Sequence, residues 1–142
     1  MNRWRIVIDT NVVISGVRSS RGASFRLLRL IGSGSFEHVV SVPLALEYEA
    51  LLRGVAMEGL ILGSHAELLL DYLCHAGIRQ KIFYLWRSTL PDAKDDMILE
   101  LAVAAGCNVI VTFNKSDFSG VETFGLRVMS PREFLELLWA LP

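Results

Sequence analysis

The stretch KDDMILELAVAAGCNVIVTFNKSDF, residues 94–118, contains a predicted helix, a predicted strand and a polar loop in direct succession. The segment 94–106 has acids in its first turn and a glycine at its end, both of which are typical of an α-helix. The segment 108–112 is apolar and rich in valine and isoleucine, and is predicted to form a strand. A helix that leads directly into a strand favours an α/β fold.

The alternation of helices and strands extends outward from this stretch over the rest of the chain. Strands are predicted at 4–8, 38–42, 80–86, 108–112 and 126–129. Helices are predicted at 23–34, 43–54, 64–77, 94–106 and 130–141. This alternation predicts an α/β fold with a mostly parallel sheet and helices on both of its faces.

Start and stop signals accompany several of these helices. The helix at 43–54 begins with a proline and ends with a glycine, an asymmetry that is common in helices. Ser64 and Glu67 have the spacing of a capping box, and Ser130 and Glu133 repeat that spacing at the start of the last helix. These signals define the predicted helix boundaries.

The composition is that of a chain with one sizeable core. Of the 142 residues, 52% are hydrophobic, and the formal net charge is −1. A single domain over residues 1–142 is therefore predicted. The total charge gives no basic footprint of the kind that marks many nucleic-acid-binding domains, although local charge matters more for such binding.

Neither a targeting signal nor a membrane-spanning segment is expected. The first residues contain no long apolar region with a cleavage site, and no stretch approaches the roughly 18 apolar residues that span a bilayer. Cys74 and Cys107 match no metal or redox spacing and are interpreted as core residues of a cytosolic protein. A cytoplasmic location without membrane contact is the expectation.

Acidic residues follow several of the predicted strands. Asp9 ends the first strand, and Asp117 lies in the loop after the strand at 108–112. Because ligands bind beyond the carboxyl ends of parallel strands, we expect acids from distant parts of the chain to meet at that edge. The polar residues at these strand ends are Asp9, Glu47, Asp92, Asp95, Asp96, Thr112, Asn114 and Asp117.

Acids gathered at one sheet edge favour a divalent cation. Like carboxylates repel and raise one another's pKa, and Mg²⁺ or Mn²⁺ removes that repulsion through oxygen ligands. The three histidines lack paired ligand spacing, so a zinc site is not predicted. Since no Ser–His or Cys–His nucleophile stands out, the pattern suggests attack of water on a phosphodiester.

Each acid also has a purely structural interpretation. Asp9 is suited to cap the helix that follows it, and the pair Asp95 and Asp96 complements a helix dipole. Glu47 fits an exposed helix face, and Asp117 fits a turn. The functional interpretation therefore depends on the joint pattern of the acids.

Four segments resemble the PIN-domain family, in the order in which that family has them. They are IVIDTNVVISG, PLALEYEALL, PDAKDDMILELAVAAGCNVIVTFNKSDF and SPREFLELL. The likeness is closest to bacterial toxins of the VapC type from toxin–antitoxin pairs. It implies a three-layer α/β/α sandwich with a mostly parallel central sheet, and an endoribonuclease that uses Mg²⁺ or Mn²⁺.

The resemblance implies roles for individual residues. The family's four acids fall on Asp9, Glu47, Asp95 and Asp117, with Glu49 as a competitor of Glu47. The implied metal ligands and supporting residues are Asp9, Asp95, Asp117 and Asp96, with Thr10, Asn11, Thr112 and Asn114. The candidate RNA-binding cations are Arg18, Arg21, Lys94 and Lys115.

Two residues depart from the family pattern. Asn114 stands where many relatives have an aspartate, which removes one negative charge from the site. Lys94 stands where acid-rich relatives have a third adjacent acid, which leaves one-metal and two-metal mechanisms open. The choice between Asp95 and Asp96 as the main third ligand is also open.

The resemblance further implies an RNA substrate, a protein antitoxin and a homodimer. The alternative is a PIN-fold module that binds RNA or protein without catalysis. A phosphoacceptor receiver domain is disfavoured because the first strand carries one acid and no strand ends in lysine. A dinucleotide-binding fold is disfavoured because no G-x-G-x-x-G follows the first strand.

Overall fold

The structure is a computed structural model that describes residues 4–82 and 89–140. A five-stranded sheet runs through it, and every pair of neighbouring strands is parallel. The strands are β1 (Trp4–Ile8), β2 (Phe36–Val40), β3 (Ile78–Arg79), β4 (Val109–Val111) and β5 (Arg127–Met129). Their order across the sheet is β3-β2-β1-β4-β5.

Six α-helices flank the sheet in the described part of the chain. They are α1 (Thr10–Arg18), α2 (Ala23–Arg29), α3 (Val42–Met57), α4 (Gly63–Ala76), α5 (Ala93–Ala104) and α6 (Pro131–Ala140). The predicted three-layer α/β/α sandwich with a parallel central sheet is confirmed. No described helix combines the length and the apolar character needed to cross a membrane. The single domain over residues 1–142 stays a prediction.

The strand order places a topological switch point at β1. The chain passes from β1 outward through β2 to β3, and then crosses to β4 on the other side of β1. In open parallel sheets, ligands bind in the crevice beyond the carboxyl ends of the strands at such a point. Ile8 pairs with Val111, so the residues that follow them, Asp9 and Thr112, lie side by side at this crevice.

Apolar burial holds the two central strands in place. The last three residues of β1 and all of β4 are fully buried, as expected for strands that are covered on both faces. Tyr48 of α3 is also fully buried, and its hydroxyl donates a hydrogen bond to the Ile8 carbonyl. This bond ties α3 to the end of β1, directly before Asp9.

The junction between β2 and α3 differs from the prediction. The strand predicted at 38–42 ends at Val40. Ser41 instead caps α3, because its hydroxyl accepts a hydrogen bond from the Leu44 N–H at 3.2 Å. The strand therefore ends two residues earlier than expected, and the helix begins one residue earlier.

Two helix ends also differ from the prediction. The glycine expected to end α3, Gly54, lies inside the helix, which continues to Met57. Leu52 and Val55 are both buried, so packing against the core continues on either side of the glycine. The helix predicted over 23–34 ends earlier, at Arg29, and the residues after it form turns.

The capping predictions have mixed outcomes. Ser64 does not cap α4, which begins at Gly63 with Leu62 in the cap position and no side-chain cap. Ser130 and Glu133 form the predicted capping box: the Glu133 N–H donates to the Ser130 hydroxyl at 3.2 Å, and the Ser130 N–H donates to Glu133 Oε1 at 2.9 Å. The second prediction is confirmed.

The strand predicted at 80–86 is misplaced in its described part. Strand β3 precedes it, and residues 80–82 are irregular. The Gln80 N–H still bonds the Val40 carbonyl at 2.9 Å, but β2 ends at Val40 and offers no further partner. Residues 83–86 lie outside the described residues.

Candidate active site

Asp9 lies at the carboxyl end of β1 and also caps α1. Its side chain is buried, and its Oδ1 accepts a hydrogen bond from the Thr10 N–H at 2.7 Å. Its Oδ2 accepts a second bond from the Thr112 hydroxyl at 2.8 Å. The pKa of Asp9 lies above its ordinary value because burial outweighs these hydrogen bonds. The capping interpretation is thus confirmed, and both oxygens have donors that orient them.

Thr112 connects Asp9 with the loop after β4. Its side chain is fully buried. While its hydroxyl donates to Asp9, it accepts hydrogen bonds from the Asn11 side-chain amide at 3.2 Å and from the Asn114 N–H at 3.1 Å. The Asn11 Oδ1 in turn accepts a bond from the Phe113 N–H at 3.4 Å. This network fixes the loop against the start of α1.

Asp95 and Asp117 bring two further charges to Asp9. Asp95 is in the first turn of α5, and Asp117 belongs to a short 3₁₀ helix at Lys115–Phe118. Burial, followed by the negative charges of Asp92, Asp9 and Asp117, raises the pKa of Asp95 to about 6. The charge of Asp117 also raises the pKa of Asp9. We call this group of four aspartates the acidic region.

Asp92 belongs to the acidic region although it was not among the predicted site residues. It caps α5 by accepting a hydrogen bond from the Lys94 N–H at 2.8 Å. Among the charges that act on Asp95, its effect on the pKa is the largest. An aspartate directly before a helix is a capping signal. This signal in the sequence could have identified Asp92 as a residue at the edge of the site. Tyr48, which anchors the end of β1, was also not predicted, and no local signal in the sequence points to it.

Asp96 has a different environment from its neighbour Asp95. Its Oδ1 accepts hydrogen bonds from the N–H groups of Thr89 and Leu90, both at 3.0 Å. Asp96 thereby orders the residues that precede α5. Asp95 instead lies close enough to Asp9 for the charge of Asp9 to contribute to its raised pKa, after burial and the charge of Asp92.

Glu47 of α3 contacts the lysine that precedes Asp95. The Glu47 Oε2 lies 3.6 Å from the Lys94 Nζ, and 36% of the Glu47 side chain is exposed. Its competitor Glu49 pairs with Arg53 at 3.6 Å and borders the groove between α3 and α4. Glu47 is therefore the glutamate of this pair that contacts α5.

Two of the four cations predicted to bind RNA pair with acids away from the acidic region. The Lys115 Nζ lies 2.8 Å from Glu133, and this contact, together with hydrogen bonds to Ser130, lowers the pKa of Glu133 to about 2. Arg18 lies 3.8 Å from Glu58, and Arg21 is exposed between α1 and α2. Because exposed ion pairs are weak in water, a polyanion can compete for these cations.

The donor set suits a hydrated Mg²⁺ or Mn²⁺ ion. It consists of carboxylate oxygens with hydroxyl and amide groups beside them, and these ions prefer oxygen ligands. Among the described residues, no three His, Cys, Asp or Glu side chains converge closely enough to enclose an ion. Mg²⁺ keeps several waters when one or two carboxylates hold it, so a cation at this edge would be held partly through water.

Comparison with known proteins agrees with the fold. A family model for the PIN domain matches residues 5–116, which include Asp9, Glu47 and Asp95. None of the curated proteins matches the sequence significantly.

A chain of VapBC2 from Rickettsia felis, solved bound to a DNA fragment from their promoter, has a similar fold. The TM-score is 0.58 at 13% sequence identity, and the alignment covers 87% of this chain and 98% of that chain. At this identity the similarity shows the fold alone. Since the family model spans most of the sequence, the chain belongs to the PIN-domain family.

Proposed function

We propose that this chain is a metal-dependent endoribonuclease that hydrolyses RNA phosphodiester bonds. The observation that carries the proposal is the acidic region at the switch point, where burial and the charges of Asp92, Asp9 and Asp117 raise the pKa of Asp95. Carboxylates that are kept together despite their repulsion are typical of functional sites, and a bound cation relieves that repulsion. Membership of the PIN-domain family supports the same activity.

The proposed cofactor is Mg²⁺ or Mn²⁺. Asp9, Asp95 and Asp117 are the residues that would hold it, and Asp96 is a further candidate. When bound, such a cation polarises a phosphoryl oxygen and lowers the pKa of a water molecule. The Thr112 hydroxyl keeps Asp9 oriented for this role through its 2.8 Å hydrogen bond.

Glu47 is the proposed general base. It is partly exposed and lies 3.6 Å from Lys94, so its carboxylate can receive the proton of an attacking water and release it to solvent. The ammonium group of Lys94 then binds a phosphate oxygen of the substrate. The side-chain amide of Asn114 is a further candidate to hydrogen-bond a phosphate oxygen.

RNA cleavage by the purified chain tests this proposal. We expect cleavage of single-stranded RNA with Mg²⁺ or Mn²⁺, none with EDTA and none with Asp9→Asn. Glu47→Gln should lower the rate about 100-fold or more, as expected for loss of a general base. Glu49→Gln is the matched control on the same helix and should retain activity.

The non-catalytic alternative predicts a different result. If no RNA is cleaved and calorimetry detects no Mn²⁺ binding, the chain is a module that binds RNA or protein. Cleavage that persists in EDTA would also contradict the proposal, because the acidic region would then act without a cation.

We further propose that the chain is the toxin of a type II toxin–antitoxin pair, that it acts on RNA in the cytoplasm, and that it binds a protein antitoxin. The fold similarity to VapBC2 supports this assignment. Expression of the chain should arrest growth of a bacterial host, whereas expression of Asp9→Asn should not. Growth restored by co-expression of an adjacent gene would identify the antitoxin.

A homodimer is also proposed, and light scattering of the purified chain tests it.

A further inference from the structure

Phe113 lies directly after Thr112 at the carboxyl end of β4, and 49% of its surface is exposed. The other phenylalanine of this loop, Phe118, is fully buried. The aromatic pairs in the described part of the chain join Phe134 to Trp4 and to Phe36, and do not include Phe113. Aromatic packing among the described residues therefore does not account for an aromatic ring at this position.

The backbone that carries the ring is fixed on both sides. The Phe113 N–H donates a hydrogen bond to Asn11 Oδ1 at 3.4 Å, and the N–H of Asn114 donates to the Thr112 hydroxyl at 3.1 Å. Thr112 is in turn bonded to Asp9. Because the ring projects from a backbone that is already ordered, binding a flat ligand costs little conformational entropy.

We propose that Phe113 stacks on a nucleobase of single-stranded RNA, next to the phosphate that the acidic region cleaves. This inference rests on the proposed function. Aromatic side chains are the usual platform for unstacked bases, and such stacking tolerates any sequence because every base has a flat π-face. The ring would thus hold one nucleotide in register with Asp9 and Thr112.

The charge of the site favours a base contact over additional phosphate contacts. Without a bound cation the acidic region repels phosphates, the chain as a whole has a net charge of −1, and Lys94 and Lys115 must each exchange an acid for a phosphate when RNA binds. A contribution that does not depend on positive charge therefore adds to the affinity close to the site. Stacking provides one, since it joins two uncharged faces.

A protein partner fits this position less well. Aromatic anchors at protein interfaces lie in well-packed, desolvated centres surrounded by further contacts. Phe113 is instead flanked in the chain by Thr112 and Asn114, both of which belong to the polar network around Asp9. A single ring at the edge of a charged site matches a nucleobase better than an apolar protein surface.

RNA binding by variants of Phe113 tests the inference, in an Asp9→Asn background that does not cleave. The probe is a short fluorescein-labelled single-stranded RNA in buffer with Mg²⁺. Phe113→Ala and Phe113→Leu should each weaken binding about 5- to 100-fold, the loss expected for one base-stacking ring. Phe113→Trp should retain the affinity, and the same RNA in a duplex should show no effect of the ring.

Phe124→Ala is the matched control. Phe124 is 41% exposed, but it precedes the first residue of β5, Arg127. It therefore lies toward the amino ends of the strands, the opposite edge of the sheet from Asp9. Its removal should leave RNA binding unchanged, and thermal unfolding should show that each variant is folded.

The outcomes separate this inference from the proposed function. Unchanged RNA affinity in Phe113→Ala or in Phe113→Leu would overturn the stacking contact, while RNA cleavage by the unmodified chain would leave the proposed function standing. If Phe113→Ala keeps its RNA affinity but loses binding to a purified antitoxin, the ring belongs to a protein interface. If the chain neither binds nor cleaves RNA, both proposals fail.

Discussion

Asp9 uses one carboxylate oxygen to cap α1 and presents the other to the hydroxyl of Thr112. The sequence left a choice between a helix cap and a metal ligand. The structure confirms the cap, and the ligand role stays a prediction. The two roles are compatible because a carboxylate has about four acceptor positions, more than its hydrogen-bond donors occupy.

Thr112→Val tests how much the Thr112 hydroxyl contributes to the stability of the fold. The change keeps the shape of the side chain but leaves the buried Asp9 Oδ2 without its donor. We expect the free energy of unfolding to fall by about 1–3 kcal/mol, measured by urea denaturation. Thr112→Ser keeps the hydroxyl and should retain most of the stability; a valine variant as stable as the unmodified chain would show that the bond is dispensable.

Asp95 should make the metal-free protein less stable as the pH rises. Its pKa is raised from 3.8 to about 6 in the folded chain, so the folded state binds more protons than the unfolded state between those values. The free energy of unfolding therefore decreases as the pH rises through that window. In EDTA, we expect Asp95→Asn to be more stable than the unmodified chain at pH 7, and the difference to shrink at pH 4.

Urea denaturation at both pH values measures this difference, with Glu100→Gln in the same helix as the control. Addition of Mg²⁺ should narrow or reverse the advantage of Asp95→Asn, because the cation relieves the repulsion only where the carboxylate is present. An advantage of equal size at pH 4 and pH 7 would exclude the titration of Asp95 as its cause.

At the scale of the elements, local capping signals predicted the start of α6 correctly but not the start of α4. Ser130 and Glu133 form their capping box as expected. Ser41 was wrongly predicted to lie in a strand. The end of β2 depends on pairing with neighbouring strands rather than on local residue types, so the sequence did not show it. Ser64 has the right spacing to Glu67, but α4 begins one residue before it.

Ser41→Ala and Ser64→Ala form a matched pair that tests these two helix starts. Ser41 is buried and its hydroxyl accepts the Leu44 N–H, so its removal should lower the free energy of unfolding by about 1 kcal/mol. Ser64 caps nothing, and its removal should change that energy by less than about 0.5 kcal/mol. Urea denaturation of both variants checks the contrast, and equal losses would contradict it.

At the scale of the whole molecule, the alternation of strands and helices was enough to predict the fold class. The carboxyl-end rule also predicted which edge of the sheet gathers acids, and the pKa shifts of Asp9 and Asp95 agree with that grouping. The strand order and the contact between Lys94 and Glu47 were not predicted. Both depend on pairing between distant segments, which no local pattern contains.

Binding of a cation to three separate elements should stabilise the whole fold. A ligand that binds only the folded state, present at about 100 times its Kd, adds about 2.7 kcal/mol, which corresponds to several degrees in Tm. We expect Mg²⁺ to raise the Tm of the unmodified chain and to leave that of Asp9→Asn nearly unchanged. Sodium chloride at equal ionic strength is the control, and an equal rise in both proteins would indicate screening rather than a site.

The separation of 103 positions between Asp9 and Thr112 also determines when the site exists during synthesis. At about 5–20 residues per second, roughly 5–20 s pass between the translation of these two residues. Throughout that time β1 is made but its neighbour β4 is not, so the crevice between them is missing. A nascent chain therefore carries no assembled acidic region until translation has passed Asp117.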